Sequence, residues 1–509
     1  MADSLSLALQ AWQSLLGDKH VVTSDATRSD VATATFATHQ TVLAILHPGN
    51  TGEVQACLQI ANEYKIPIYV ISRGKNWGYG SSVPVTSQSV ILNLTRLDQI
   101  VTVNETLAYV TVQAGVTFHQ LDAYLREHDI GLMINCPGST PDASIVGHAL
   151  ERGFVSGLES ERGSHILQME LVLPTGALIQ TGYGRFENIA TTPICQTGIG
   201  PTMNGLFTQS NLGLVTQMTI SLPPRPAYRQ TFTFRLAQTT RLLQFIPNLQ
   251  SLIQSQAINA SCTLFNDYRA STLMRQYPWK AAGGETPLPA DLHQQFQAEL
   301  QGRWYGKAGL WANSLAELEA KRTYLTQKIE ASIHLLRFEP PNQPDTLFEL
   351  STQSRLTGMY WRKKMDEPSE PNPDRDRCGL IWFSPLIPFT AEDLAQCLTL
   401  IEPIVSKYQF EPAISLQCFN ARTIYVIVGL IYDRDNAGED QQAAACSQAL
   451  HETLGEFGYL PYRLNIHTMY QTPPFDDDSG VLYQRLKQAL DPNDILAPGR
   501  YDFRHEWPS

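Results

Sequence analysis

Along the first part of the chain, apolar residues come in short β-branched or alternating runs separated by polar, glycine-containing turns. Thr41–Leu46, Ile68–Ile71, Val90–Leu94 and Ile100–Val112 read as strands, and Ile166–Leu173, Leu178–Thr181 and Leu214–Leu222 continue the series. Between the first two, Val54, Leu58 and Ala61 recur at helical spacing, with Asn50 or Thr51 placed to cap the helix. Thr117–Glu127 predicts another helix, and the opening MADSLSLALQAWQSLLG an amphipathic one. Asp25–Thr38 is a polar lead-in. Leu132–Ser164 is rich in polar residues, glycine and proline and carries no clear period. Inside a compact chain, such a stretch is more often functional than a tether.

Past Leu222-Pro223-Pro224-Arg225-Pro226, which stiffens the chain and marks a boundary, the pattern lengthens. Thr239–Ser255, Pro289–Leu300, Glu317–Leu335, Ala391–Tyr408 and Glu439–Phe457 read as helices. Strands are expected at Phe232–Leu236, Leu380–Leu386 and Thr423–Tyr432, and a last helix in Gly480–Leu490. Gly284–Leu288 predicts a surface crossing, and Met365–Arg377, charged and proline-bearing, an exposed loop. Short strands mixed with helices, without room for six regular βαβ units, give the α+β class.

At 509 residues the chain exceeds one ordinary core, so two or three domains are expected. A formal charge of −12 leaves no basic excess for phosphate and argues against a nucleic-acid partner. No basic, apolar leader opens the sequence and no run approaches a membrane span, so a cytoplasmic protein is expected. The cysteines at 57, 136, 195, 262, 378, 397, 418 and 446 form no CxxC pair, and the histidines no HExxH. Neither a disulfide framework nor a metal site is expected.

The densest chemistry lies in Val70–Val83, VISRGKNWGYGSSV. Gly74, Gly78 and Gly80 let the backbone approach a ligand, and successive N–H groups with Ser81 and Ser82 suit an anion-binding nest. The run is neither GxxxxGK[ST] nor GxGxxG, so nucleotide hydrolysis and an ordinary dinucleotide fingerprint fit badly. Around it stand His47-Pro48-Gly49-Asn50-Thr51, Ala149-Leu150-Glu151-Arg152-Gly153, Leu171-Val172-Leu173-Pro174-Thr175-Gly176, Gln209-Ser210-Asn211-Leu212-Gly213 and Asp491-Pro492-Asn493-Asp494-Ile495-Leu496-Ala497-Pro498-Gly499. In this order and approximate spacing the blocks resemble the flavoprotein family that includes vanillyl-alcohol oxidase, eugenol oxidase and the flavin subunit of 4-cresol dehydrogenase. The resemblance implies a two-domain FAD-binding fold of the p-cresol methylhydroxylase (PCMH) type with an inserted α+β substrate/cap domain. Residues 1–225 would bind FAD, 226–465 form the cap, and 466–509 return to the FAD-binding domain.

The resemblance further implies FAD held by Arg73, Gly74, Lys75, Asn76, Trp77, Gly78, Tyr79, Gly80 and Ser81. Pro137, Gly138, Ser139 and Gly147, then Glu151, Gly153 and Arg500, complete that set. The family's linkage residue falls on Leu380, which has no nucleophilic atom, so non-covalent FAD is expected. Cys136 resembles the cysteine of a second linkage in more distant relatives, although their accompanying histidine is replaced near Asn76. Tyr79, Tyr462 and Arg463 match three family residues that hold a phenol as its phenolate. A free phenol has a pKa of about 10, so a permanent cation and two hydroxyl donors favour its ionisation.

Two departures stand out. The family's Val-Pro-Asp becomes Cys136-Pro137-Gly138-Ser139, leaving Asp142 as the next acid, and a histidine pair becomes Tyr425-Val426, with Tyr425 a candidate replacement. His467, Trp382 and Arg422 are further pocket candidates, each with plain packing or a surface role as the alternative. The expectation is FAD-dependent hydride transfer from a para-substituted phenol or phenol-like natural-product intermediate, with O2 or an external electron carrier as acceptor and a homo-oligomer as the assembly. Oxidation of a non-phenolic alcohol or hydroxy acid, its carboxylate on Arg463 or Arg422, is the alternative. A flavin-bound protein without turnover is the third reading.

Overall fold

The computed structural model describes residues 2–135, 138–154, 161–342, 358–469 and 477–502. Three sheets organise them. In the first, Val21–Val22, Val42–Leu46, Ser89–Asn93 and Ile68–Ile71 lie side by side, the last three parallel. Parallel strands need crossovers, and the helix Thr51–Tyr64 carries the chain from Val42–Leu46 to Ile68–Ile71, leaving the place between them for Ser89–Asn93. Asn50 caps that helix by accepting from the Glu53 N–H, and the Glu53 carboxylate reaches back to the Gly49 N–H at 2.6 Å. The opening helix Ala2–Leu16 packs on this crossover, its Trp12 indole donating to the Cys57 carbonyl at 3.2 Å.

The second sheet is antiparallel, in the order Ile100–Asn104, Tyr109–Gln113, Leu214–Ser221, Ile166–Val172, Leu178–Gln180. The third has eight strands drawn only from residues between 228 and 433. Its central members are Trp304–Ala312, Cys262–Asn266, Ala413–Cys418 and Thr423–Asp433, flanked by Tyr228–Leu236 on one side and Cys378–Phe383 on the other. The helices Thr239–Gln254, Leu315–Ile329, Ala391–Lys407 and Glu439–Glu456 contribute buried side chains to its core.

Side-chain alternation in the first sheet joins the two large cores. Ala44, Leu46, Ile68, Val90 and Leu92 face the core shared with the second sheet, whereas Ile45, Tyr69, Ile71 and Ile91 face that of the third. The C-terminal segment returns to the same place. Leu496 bridges Ile68, with the Ile68 N–H donating to the Ile495 carbonyl and the Ala497 N–H to the Ile68 carbonyl, both at 2.7 Å. Among the described residues, no helix is long and apolar enough to cross a membrane.

The structure adds elements that the pattern does not announce: the strands Cys262–Asn266, Trp304–Ala312 and Ala413–Cys418, and the short helices Asp25–Val31 and Ile145–Leu150. The helix expected to run to Leu335 stops at Ile329. Leu335–Phe338 instead pairs with Tyr228–Leu236, where Phe338 lies opposite Phe232. The Phe232–Phe338 cross-strand pair and the ladder hydrogen bonds favour the strand over another turn of helix.

Candidate active site

A cavity of about 330 Å3 opens where the loop after Ile68–Ile71 meets the eight-stranded sheet. One wall is the glycine-rich run itself. Gly74, Gly78 and Gly80 take φ of +63°, +78° and +126°, a region costly for residues with a Cβ. Space is a second reason: a Cβ on Gly78 would strike the Trp382 ring, and one on Gly80 would lie 2.5 Å from Ile466. The Tyr79 and Ser81 N–H groups both donate to the Asn76 carbonyl, at 3.1 and 3.0 Å, closing the turn.

Asp374 locks this turn from the far side of the sequence. One of its oxygens accepts from the Ser81 hydroxyl at 2.7 Å and the other from the Trp77 indole at 3.0 Å. Met365–Arg377 is therefore not simply an exposed loop, because Asp374 is turned inward to satisfy two donors that the turn leaves over. Burial raises the Asp374 carboxyl to about 6, against the pull of those two donors.

The same wall suits a diphosphate. The N–H groups of Arg73, Gly74, Lys75 and Asn76 find no acceptor among the described residues. The Arg73 guanidinium braces the loop by donating to the Gly115 carbonyl at 2.7 Å. Gly138 and Ser139 border the cavity, and a Cβ on Gly138 would meet nothing within 4 Å. Gly147 and Gly153 line it beside His148, whose Nδ1 has no partner among the described residues. Burial, reinforced by Arg162 and Arg463, keeps that imidazole neutral. Bare N–H groups, small residues and an unsatisfied ring nitrogen along one trough fit FAD.

Glu151 is the electrostatic hub. It takes ion pairs from Arg500 and, at 3.4 Å, from Arg463, and accepts from the Tyr501 hydroxyl at 3.0 Å. Burial alone would raise its pKa, but the two arginines hold it below the ordinary range. Arg463 also donates to the Asn76 side-chain oxygen at 2.6 Å, and its guanidinium lies 4.1 Å from the Tyr79 ring centroid. Burial disfavours the Arg463 charge, yet Glu151 more than restores it.

Tyr79, Tyr462 and Arg463, from opposite ends of the chain, thus meet in one cavity. The Tyr79 hydroxyl is 3.2 Å from that of Ser384. Tyr462 packs edge-on against Tyr425 at 5.0 Å and at a tilt against Phe154 at 6.0 Å. Burial, then the neighbouring Tyr79, raises the Tyr462 hydroxyl well above the ordinary range, so it stays a donor. Tyr425 backs Tyr462 rather than lining the cavity, and burial pushes its hydroxyl up to about 12.

Other expected residues lie elsewhere. His467 is outside the cavity lining, bonded to the Ala37 carbonyl at 2.9 Å with its ring 5.1 Å from Phe36. Arg422 and Asp142 are exposed and border no part of the cavity. Cys136 and Pro137 fall outside the described residues. Leu380 is buried among Trp77, Tyr360 and Ile431, whereas Trp382, two residues on, lines the cavity. Asp374 and Arg269, which also borders the cavity, carry no signal in the sequence, since their surroundings come from distant segments.

Residues 42–182 match the family described as FAD binding domain. The chain is 41% identical to the 1'-carboxy-chondrochloren decarboxylase of Chondromyces crocatus, over 99% of this chain and 98% of that one. It is 28% identical to the flavoprotein subunit of the hydroxylating 4-cresol dehydrogenase of Pseudomonas putida, over 97% and 94%. The fold superposes on p-cresol methylhydroxylase with substrate bound at a TM-score of 0.90, with 25% identity and coverage of 99% and 98%.

Proposed function

The chain belongs to the vanillyl-alcohol oxidase and 4-cresol dehydrogenase family of PCMH-type FAD enzymes, and on that premise we propose that it oxidises a para-substituted phenol or phenol-like natural-product intermediate at the carbon attached to the ring. The convergence of Tyr79, Tyr462 and Arg463 in one cavity carries this reading. FAD, when bound, supplies a two-electron acceptor that takes a hydride from that carbon.

The protein's own part is to make the ring electron-rich. Tyr79 and Tyr462 are placed to donate to a phenolic oxygen, and burial keeps Tyr462 protonated for that role. Arg463 brings charge. At about 4 Å and an effective dielectric of about 20, one opposite charge is worth roughly 4 kcal/mol before desolvation. Glu151 offsets part of it, but the group of Glu151, Arg463 and Arg500 keeps one net positive charge. The sign favours phenolate. The bare N–H groups of the glycine-rich turn, Gly138, Gly147 and Arg500 are the residues placed to hold FAD, and Leu380 offers no atom for a covalent link. Reoxidation by O2 or an external electron carrier, a homo-oligomeric assembly and a cytoplasmic location belong to the same reading.

Kinship with a decarboxylase favours an extension. Loss of a hydride from the carbon next to a phenolate ring leaves a quinone methide, which is an electron sink. If the next carbon bears a carboxylate, the bond between them can break. Its electron pair forms a carbon–carbon double bond, the ring returns to phenolate and CO2 departs, with no second oxidant. Mass spectrometry after incubation of the FAD-loaded protein with para-alkylphenols, lactate and glycolate tests the reading. Loss of two hydrogens from the phenols alone, or of CO2 as well where a carboxylate is present, supports it. Turnover of the hydroxy acids alone overturns it in favour of the hydroxy-acid alternative.

A further inference from the structure

Several arginines turned inward in this protein pair with carboxylates. Arg303 pairs with Asp267 and Glu402, Arg362 with Glu411 and Glu439, and Arg463 and Arg500 with Glu151. Arg269 is set differently. It borders the cavity, donates to the Thr272 hydroxyl at 3.0 Å, and has a buried Nε with no partner among the described residues. No carboxylate pairs with it among those residues. Burial lowers its pKa to about 10, which leaves it charged at neutral pH.

A desolvated guanidinium without a counter-ion is costly, and structures tolerate such groups mainly where a ligand completes them. Resting on the phenol reading above, we propose that Arg269 binds the carboxylate of the substrate, which is then a para-alkylphenol carrying a carboxylate on its side chain. Position supports this. The Arg269 guanidinium lies 5.3 Å from the Trp382 ring, which packs against Gly78, and the Trp382 backbone N–H donates to the Gly78 carbonyl at 3.2 Å. Arg269 therefore stands one aromatic ring away from the turn that carries Tyr79. Ser415 and Gln417 border the cavity on the same sheet and add only neutral polar groups. On the substrate-sheet side, one cation with neutral neighbours suits a single negative charge better than a phosphate. Arginine's planar fork matches a carboxylate.

Binding separates this proposal from turnover. p-Coumarate keeps the ring-to-carboxylate spacing of a tyrosine side chain but has no benzylic hydride to give, and p-coumaramide is its neutral twin. Isothermal titration of the FAD-loaded protein is expected to give at least about tenfold tighter binding of p-coumarate than of p-coumaramide. Arg269→Gln should erase that preference and Arg269→Lys keep part of it. Because the wild-type comparison needs no variant, it decides the matter even if a variant folds poorly. Equal wild-type affinities, or an Arg269→Gln effect of the same size on both probes, would overturn the proposal. The parent reading fails separately: if no para-alkylphenol, with or without a side-chain carboxylate, is oxidised, phenol chemistry is wrong, whatever preference Arg269 exerts.

Discussion

Individual side chains carry the chemistry here, and the sequence discloses them unevenly. Tyr79, Tyr462 and Arg463 are legible because each sits in a block with a recognisable family context, and the structure brings them together. Asp374 and Arg269 are not, since what defines them is a neighbour far along the chain; Asp374 contacts a residue 293 positions away. Asp374 also gives a pH signature. Folding raises its carboxyl from the ordinary 3.8 to about 6, so the folded state holds the proton more tightly than the unfolded chain. Stability from this group is therefore greatest below about pH 4, falls as pH rises towards about 6 by up to about 3 kcal/mol, and is flat above. Asp374→Asn keeps an acceptor for the Trp77 indole and a donor for the Ser81 hydroxyl. Its melting temperature relative to wild type should be higher at about pH 7.5 than at about pH 5. A difference that does not change with pH would mean that the carboxylate is not held under strain.

Elements were read best where apolar residues recur at a helical period or form β-branched runs between turns, and least well among the short central strands of the third sheet. The crossover helix Thr51–Tyr64 follows the period of its apolar residues, and the strands around it stand out as short β-branched runs. Cys262–Asn266 and Ala413–Cys418 are central strands covered on both sides, and their near-continuous burial erases any alternation. Trp304–Ala312 is hidden further by two glycines; a Cβ on Gly306 would strike the Phe234 ring, so packing explains a residue that reads as a break. The returning tail rests on one helix. Lys487, on Asp478–Leu490, donates to the Asn211 and Leu496 carbonyls at 3.0 and 2.9 Å and to Asp491 at 2.6 Å, all buried. Lys487→Met would strand the Asp491 charge, a loss of about 3–5 kcal/mol. A fall of several degrees in the unfolding midpoint is expected, and an unchanged midpoint would show that the tail does not depend on this lysine.

At the scale of the whole molecule, FAD chemistry depends on two sheets and a tail that meet only in three dimensions. The first sheet supplies the glycine-rich turn, the third supplies Trp382, the helix Asp267–Met274 that follows one of its strands supplies Arg269, and the stretch after Glu439–Glu456 supplies Tyr462 and Arg463. Sequence pattern gave the α+β class and family context gave the return of the tail, but neither gives the spacing across a cavity, which long-range packing sets. The hydrocarbon side chain of Leu380 predicts that acid precipitation of the FAD-loaded protein leaves the flavin in the supernatant. Flavin retained in the pellet would require a link through another residue. The central claim is that this assembled cavity holds a phenolate for oxidation, and anaerobic rapid mixing of the FAD-loaded protein with 4-ethylphenol tests it most directly. The account predicts loss of the oxidised flavin band in the wild type and a reduction rate about 100- to 1,000-fold slower in Arg463→Gln. A band that persists in the wild type across the para-alkylphenol series, or an Arg463→Gln variant reduced as fast as wild type, would contradict it.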